Sequence, residues 1–266
     1  MTDVGQLWTA IVLAGQRRGP DPMASHFGLD WKALVPVGGE PMVTRVVRTL
    51  SSVPQIERTI VLTQVPDALR QAVSDGGPAE IMTSGRGIST SILNVMDRAD
   101  VHWPVLVTTA DHPLLTRDMV EAFLAEATGD VAVAMVERQR LVAAYPGNKR
   151  TWLRFADGDW SCCNLFALTS GSARPALLLW AEAEQDRKKA WKLFLHFGPL
   201  LALRAITRTI GLAAALEKAG KRLGLAARLV PMRFAEAAID VDKPSDHALA
   251  ELILKRRSDE AQTTAG

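Results

Sequence analysis

Short apolar runs alternate with stretches of helical period along most of the chain. Thr9–Ala14 (TAIVLA) is a continuous apolar run of the kind that fills a central strand buried on both faces. Thr59–Leu62, Ala79–Met82 and Pro104–Thr109 (PVLVTT) repeat that signal. Between these runs, Pro41–Leu50 reads as a helix with Met42, Val43, Val46, Val47 and Leu50 on one side. Asp67–Val73 is a shorter helix, and Ile88–Ala99 brings Ile92, Val95, Met96 and Ala99 to core spacing. Thr116 is an N-cap for the helix Arg117–Ala127, because its hydroxyl can accept an unpaired first-turn amide. Asp130–Val136 and Ser161–Leu168 are further strands, and Ala237–Val241 reads as a last strand leading into the amphipathic helix Pro244–Arg257. Strands alternating with helices predict an α/β fold, a mostly parallel Rossmann-like sheet flanked by helices. Residues 170–224 are helical but different in character, and read as a helical insertion in a single domain spanning 1–257. Residues 258–266 are small and polar, and read as a flexible tail.

Composition narrows this picture. A chain of 266 residues can bury one substantial core. With 48% hydrophobic and 23% charged residues it has the balance of a soluble globular protein. A formal net charge of +2 is too small to indicate a nucleic-acid binder. The first residues, MTDVGQLWTA, lack the basic and then apolar pattern of a signal peptide. No stretch reaches the roughly 18 apolar residues of a membrane span. The expected location is therefore cytoplasmic. Adjacent Cys162 and Cys163 have no other cysteine to pair with, and read as small apolar fillers of a strand.

Three segments carry candidate chemistry. In the first, the run ending at Leu13 and Ala14 passes through Gly15 and Gln16 into a basic loop with Arg17, Arg18 and Lys32. A strand-to-loop junction of this kind lies at the carboxyl end of a sheet, where α/β proteins bind nucleotides. Gly15 permits close backbone approach, and the three cations suit a triphosphate and its leaving pyrophosphate. In the second, VLVTTADHPLLT, a buried strand delivers Asp111 to the same edge, where a carboxylate can hold magnesium against phosphates. His112 is assigned no chemistry. In the third, AAIDVDKPSD, Asp240 and Asp242 share a face if the chain is extended, with Asp242 the better second magnesium contact. Asp246 caps or stabilises the following helix.

Together these segments resemble the MobA-like and IspD-like NTP transferases, nucleotidyltransferases of GT-A-like fold. The resemblance rests on Leu13–Ala14–Gly15, Arg17 and Arg18, Lys32–Ala33–Leu34, Gly39–Glu40–Pro41–Met42, Asp111–His112–Pro113–Leu114–Leu115 and Asp240–Val241–Asp242–Lys243–Pro244–Ser245–Asp246. It covers roughly residues 9–130 and 236–256. Gln16 stands where the family pattern has a second glycine, and Gly19–Gly28 lengthen the loop before Lys32. The resemblance implies a magnesium-dependent enzyme with Lys32, Arg17 and Arg18 holding phosphates and Asp111 and Asp242 holding Mg2+. Leu13, Ala14, Gly15 and Gln16 would contact the nucleotide. The segment Thr83–Ser91 (TSGRGISTS) matches where relatives recognise base and ribose, through Ser84, Gly85, Ser89 and Ser91, although these residues also suit a helix N-cap. Asn164 would lie on the acceptor side.

The implied reaction joins an NMP from an NTP to a small phosphorylated acceptor. CTP is favoured as donor, which would make the chain a cytidylyltransferase. A phosphorylated hydroxy acid of phosphoglycerate type or a polyol phosphate is favoured as acceptor. The same core would serve a molybdopterin or a sugar phosphate, so fold analogy does not choose. A catalytically silent nucleotide-binding or membrane-docking protein is the reading from another class.

Within the helical insertion, cations including Arg187, Lys188, Lys189 and Lys192 interleave with Trp191, Phe194 and Phe197, and no acid falls between Arg187 and Leu216. The segment reads first as a helical hairpin whose aromatics pack on the domain or at a homodimer interface; it also suits a lid in which Arg187 and Lys188 bind an acidic acceptor, or a peripheral contact with an anionic membrane.

Overall fold

The computed structural model describes residues 6–17, 19–85, 87–185 and 198–265. The chain opens with strand β1 (Trp8–Leu13), followed by helix α1 (Pro22–His26) and a 3-10 turn at Lys32–Leu34. A ribbon of β2 (Pro36–Val37) and β3 (Glu40–Pro41) leads into α2 (Met42–Ser51). Then come β4 (Ile56–Thr63), α3 (Pro66–Gly76), β5 (Glu80–Thr83), α4 (Ile88–Met96), β6 (Val105–Thr109) and α5 (Arg117–Glu126). The second half holds β7 (Val131–Glu137), α6 (Arg138–Ala144), β8 (Leu153–Phe155), β9 (Gly158–Leu168) and α7 (Arg174–Gln185). It continues with α8 (Pro199–Ile206), α9 (Leu212–Arg222), β10 (Ala227–Pro231), a 3-10 turn at Ala235–Ala238 and α10 (Pro244–Ala265).

One eight-stranded sheet runs in the order β10-β7-β9-β6-β1-β4-β5, with β8 paired to β9. The pairs β1–β4, β1–β6, β4–β5 and β10–β7 are parallel, and β9 runs antiparallel to both its neighbours. After β1 the chain builds outward through β4 and β5, then returns to place β6 on the other side of β1. That reversal opens a crevice at the carboxyl ends of β1 and β6, the place where such sheets take ligands. Register makes it specific. Leu13 pairs with Thr109, and the Ala110 amide donates to the Leu13 carbonyl at 3.0 Å. Ala14–Gly15 and Ala110–Asp111 therefore leave the sheet side by side.

The period-2 alternation of the strands divides the core into two layers. Ala10 and Val12 of β1 pack with Val43, Val47 and Leu50 of α2, Leu69 of α3, Phe123 of α5 and Ile253 of α10. Ile11 faces the other way, with Ile60, Leu62 and Val107, against Ile92 of α4 and Leu177 of α7. Each such fully buried side chain stabilises the fold by roughly 1.5–3 kcal/mol. The sheet is thereby sealed on both faces and its carboxyl edge is left for chemistry.

Several elements differ from expectation. Ala237–Val241 is not a strand: Ala235–Ala238 form a 3-10 turn, and the edge strand beside β7 is Ala227–Pro231. The apolar alternation of Ala237, Ile239 and Val241 is real, since all three are buried. It reflects packing against the segment after β6, for the Val241 amide donates to the Asp111 carbonyl at 2.9 Å. β10 carries Arg228 and ends in Pro231, a composition that only a sheet edge tolerates. The C-terminal helix also continues through residues 258–265, where the sequence reading placed a tail.

The described part of 170–224 holds α7, α8 and α9, so it is helical as expected. Leu200, Leu203 and Ile206 are exposed along α8. No helix among the described residues is long and apolar enough to cross a membrane.

Candidate active site

Lys32, Asp111 and Asp242 come from three distant segments and meet at the carboxyl edge of the sheet. The Lys32 ammonium lies 2.5 Å from Asp111 Oδ2 and 2.5 Å from Asp242 Oδ1. β6 delivers Asp111 directly. Asp242 arrives just before α10, where its amide donates to Asp246 Oδ2 at 3.2 Å. Asp246 thus reaches back to order the turn that presents Asp242, and its own side chain is buried.

Lys32 is set in place by Gln16, the residue that departs from the family's second glycine. Gln16 Oε1 accepts from the Lys32 amide at 2.9 Å, and Gln16 Nε2 donates to the Asp30 carbonyl at 3.1 Å. Its own amide donates to Gln64 Oε1 at 3.0 Å, tying the loop to the end of β4. A Cβ at Gly15 would stand 2.9 Å from Gln64 Nε2, so a side chain there would push the Gln64 amide aside. The longer loop is not slack. Asp21 caps α1 by accepting from Met23 and Ala24 amides at 2.8 and 3.0 Å, and Met23 and Ala24 are buried.

The electrostatics follow from this geometry. Burial works to lower the Lys32 pKa, but Asp111 and Asp242 outweigh it and hold it above the ordinary lysine value. For Asp242 burial is likewise opposed, and Lys32 keeps the carboxyl below the usual range. Asp240 behaves oppositely. Burial raises its pKa against the pull of Arg150, and the charges of Asp111 and Asp242 add to the rise. Asp240 Oδ1 accepts from Arg150 Nη1, and Oδ2 accepts from Asn164 Nδ2 at 2.9 Å. Arg150 was not singled out by the sequence reading. It lies in a loop of ordinary polar composition, 90 residues from its partner.

His112 is buried beside Asp111, and neither ring nitrogen makes a hydrogen bond of ordinary geometry. Burial depresses its pKa to about 4, although Asp111 and the Glu236 backbone favour its protonated form. It cannot reach a substrate. Cys162 and Cys163 lie in β9 as free thiols, with pKa values raised by burial.

The other expected residues fall as follows. Leu13 ends β1, Ala14 is buried and Gly15 is exposed beyond it. Arg17 is exposed on the loop. Between β5 and α4, Ser84 and Gly85 face the same edge, and the Ser84 amide donates to the Thr63 carbonyl at 2.8 Å. Ser91 Oγ accepts from the Gly85 amide at 2.8 Å and donates to the Gly87 carbonyl at 2.6 Å, so it shapes this loop from beneath. Ser89 is also buried. Asn164 lies near Asp240 as described. Arg18, Arg187 and Lys188 lie outside the described residues.

The donor set fits a hard divalent cation. Asp111 Oδ1 is buried without a hydrogen bond among the described residues, while Asp111 Oδ2 and Asp242 Oδ1 converge on one point now met by the ammonium. Magnesium takes one or two carboxylates and completes its shell with phosphate and water oxygens. Among the described residues no group of three or more His, Cys, Asp or Glu side chains is arranged to hold a metal by itself.

Comparison with known proteins bears on the family and the fold. The MobA-like NTP transferase domain matches residues 10–194. A hypothetical transferase from Thermus thermophilus superposes with a TM-score of 0.76 at 28% identity, over 91% of this chain and all of that one. A CMP:2-keto-3-deoxy-manno-octonic acid synthetase complexed with CTP superposes with a TM-score of 0.56 at 14% identity, over 95% of this chain and 100% of that one. The 4-diphosphocytidyl-2C-methyl-D-erythritol synthase of Anaerococcus prevotii gives 0.54 at 11% identity, over 94% and 97%. None of the curated proteins compared with the chain matches it. The family match spans well over half the chain and carries the strand and loop that deliver Lys32 and Asp111: this chain belongs to the MobA-like NTP transferase domain family and is a nucleotidyltransferase.

Proposed function

We propose that the chain is a cytoplasmic, magnesium-dependent cytidylyltransferase that moves CMP from CTP to a small phosphorylated acceptor and releases pyrophosphate. The observation that carries this reading is the convergence of Lys32, Asp111 and Asp242 at the crevice between β1 and β6. Two structural relatives named for CTP or for a diphosphocytidyl product support cytidine as the base, and both share the fold.

Asp111 and Asp242 are the residues that would hold Mg2+, which when bound supplies charge neutralisation to the triphosphate and its leaving group. Lys32 and Arg17 contribute cations to the phosphates, with Arg18 assigned alongside them on sequence. Ser84 and Gly85, at the carboxyl edge beside β4, are proposed to meet base or ribose. A phosphate oxygen of the acceptor attacks the α-phosphorus in line; the new P–O bond forms as the bond to the β-phosphate oxygen breaks, and pyrophosphate departs. The attacking oxygen is already an anion, so no general base is required. The buried position of His112 supports that choice, since the histidine next to Asp111 is closed off from a substrate proton. Asn164 and the cations Arg187 and Lys188 are proposed for the acceptor, and a phosphorylated hydroxy acid is favoured for its extra negative charge.

The test is a matrix of the four NTPs against phosphoglycerates, polyol phosphates, sugar phosphates and molybdopterin, with Mg2+, scored by pyrophosphate release. Release with CTP and a phosphorylated hydroxy acid or polyol supports the reading. Release only with another base, or only with molybdopterin or a sugar phosphate, replaces its donor or acceptor. A folded protein that releases pyrophosphate with no pair overturns it.

A further inference from the structure

Asp240 and Asp242 stand two residues apart, yet only one of them has oxygens to offer. Both carboxylate oxygens of Asp240 are taken, Oδ1 by Arg150 Nη1 and Oδ2 by Asn164 Nδ2. Arg150 Nη2 also donates to the Asp240 carbonyl at 3.1 Å, so the guanidinium grips side chain and backbone together. The Arg150 side chain is 9% exposed, and among the described residues its hydrogen bonds all go to Asp240. Asn164 is held at φ 51, a conformation that asparagine tolerates better than most residues. By contrast, the Asp242 side chain is 61% exposed and Asp111 Oδ1 has no hydrogen-bond partner among the described residues.

We propose that Arg150, assisted by Asn164, is a positioning residue that withholds Asp240 from the metal, leaving Asp111 and Asp242 as the carboxylates that reach it. The inference rests on the reading that those two residues hold Mg2+. A hard cation attracts every carboxylate within reach, and a third would occupy a position that phosphate or water must fill. A guanidinium suits the withholding role because its planar fork matches a carboxylate and it stays charged at every physiological pH. Lysine, a single point of charge, would not hold both the carboxylate and the carbonyl. Arg150 is too buried to meet a substrate, so its effect passes through Asp240.

The test uses Mn2+ alone as a probe on the full chain, with its Kd read by water-proton relaxation. Arg150→Met should free Asp240 and tighten Mn2+ binding at least fivefold, while kcat for NMP transfer falls about tenfold or more. Arg150→Met with Asp240→Asn should return the Mn2+ Kd to within about twofold of wild type. A purely structural arginine would instead weaken Mn2+ binding together with thermal stability, and adding Asp240→Asn would not change the sign. Unchanged or weaker Mn2+ binding in Arg150→Met overturns the proposal. Should that variant not fold, Asn164→Ala removes one of the two partners without stranding a charge. A tighter Mn2+ Kd in Asn164→Ala supports the proposal and an unchanged one overturns it. Asp111→Ala separates this inference from the reading beneath it. If Mn2+ binding survives Asp111→Ala, the metal reading itself fails. If binding is lost there but does not tighten in Arg150→Met, only the role of Arg150 fails.

Discussion

The carboxyl edge of the sheet holds two charged clusters built from the same kinds of residue and suited to opposite tasks. Lys32, Asp111 and Asp242 meet around an exposed carboxylate, that of Asp242; Arg150, Asn164 and Asp240 meet around a buried guanidinium. In the first, one ammonium serves two carboxylates and leaves Asp111 Oδ1 without a partner. In the second, two donors engage both oxygens of one carboxylate and fix its orientation. Exposed or unpartnered oxygens are what a cation or a phosphate-bound metal recruits most readily, and a carboxylate tied by a guanidinium and an amide must first give up those bonds. The difference teaches that having a carboxylate in an active-site segment is less informative than knowing what already occupies its oxygens.

Substitutions can break or sharpen that contrast. The largest effect is expected from Asp111→Ala, which should lower pyrophosphate release by about 1000-fold or more, since it removes the oxygen that has no protein partner and one that faces Lys32. Circular dichroism and the Tm should show the fold intact; retained turnover would move the metal site elsewhere. Next is Lys32→Met, expected to lower kcat/KM by roughly 100-fold, the scale of losing one charge-stabilising donor at a transition state. A fall of only a few fold would mean that the ammonium merely neutralises the two carboxylates.

His112 provides a pH signature for the buried side of the edge. Its folded pKa is about 4, whereas an unfolded histidine titrates near 6.5. Between those values the unfolded chain binds the proton and the folded chain does not, so stability is full above about 6.5 and declines as the pH falls toward 4. The decline should be visible in chemical denaturation curves and should shrink in His112→Phe. An identical decline in that variant would assign it to other groups.

The smallest effect is expected from Gln16→Leu. Losing the bonds to the Lys32 amide and the Asp30 carbonyl should cost about 1 kcal/mol, seen as a several-fold rise in the KM for the nucleotide with little change in Tm. An unchanged KM would show that the α1 packing alone sets Lys32.

Much of this site was legible along the chain because its parts sit where local patterns end. The apolar runs TAIVLA and PVLVTT announce buried strands, so Gly15 and Asp111, just after them, had to lie at a sheet edge. Thr116 was legible as an N-cap for the same reason, and its hydroxyl accepts the Met119 amide at 3.3 Å. The strand expected at Ala237–Val241 was misread because alternate burial has two causes, pairing in a sheet and packing across a loop. Period alone does not separate them. β10 escaped notice because an edge strand can be short, charged and ended by proline.

The sequence by itself therefore determined the alternating α/β core, the two strands that frame the crevice and the carboxylates Asp111 and Asp242 near its mouth. These depend on neighbours within a few residues, and hydrophobic periodicity records such neighbours. Only the tertiary structure decided that Gln16 would hold Lys32, that Arg150 would take Asp240, and that Asp240 and Asp242 would end with different work. Those choices are made by a side-chain-to-backbone bond and a side-chain pair whose partners lie 16 and 90 residues apart. Such bonds need the chain already folded before either partner meets the other.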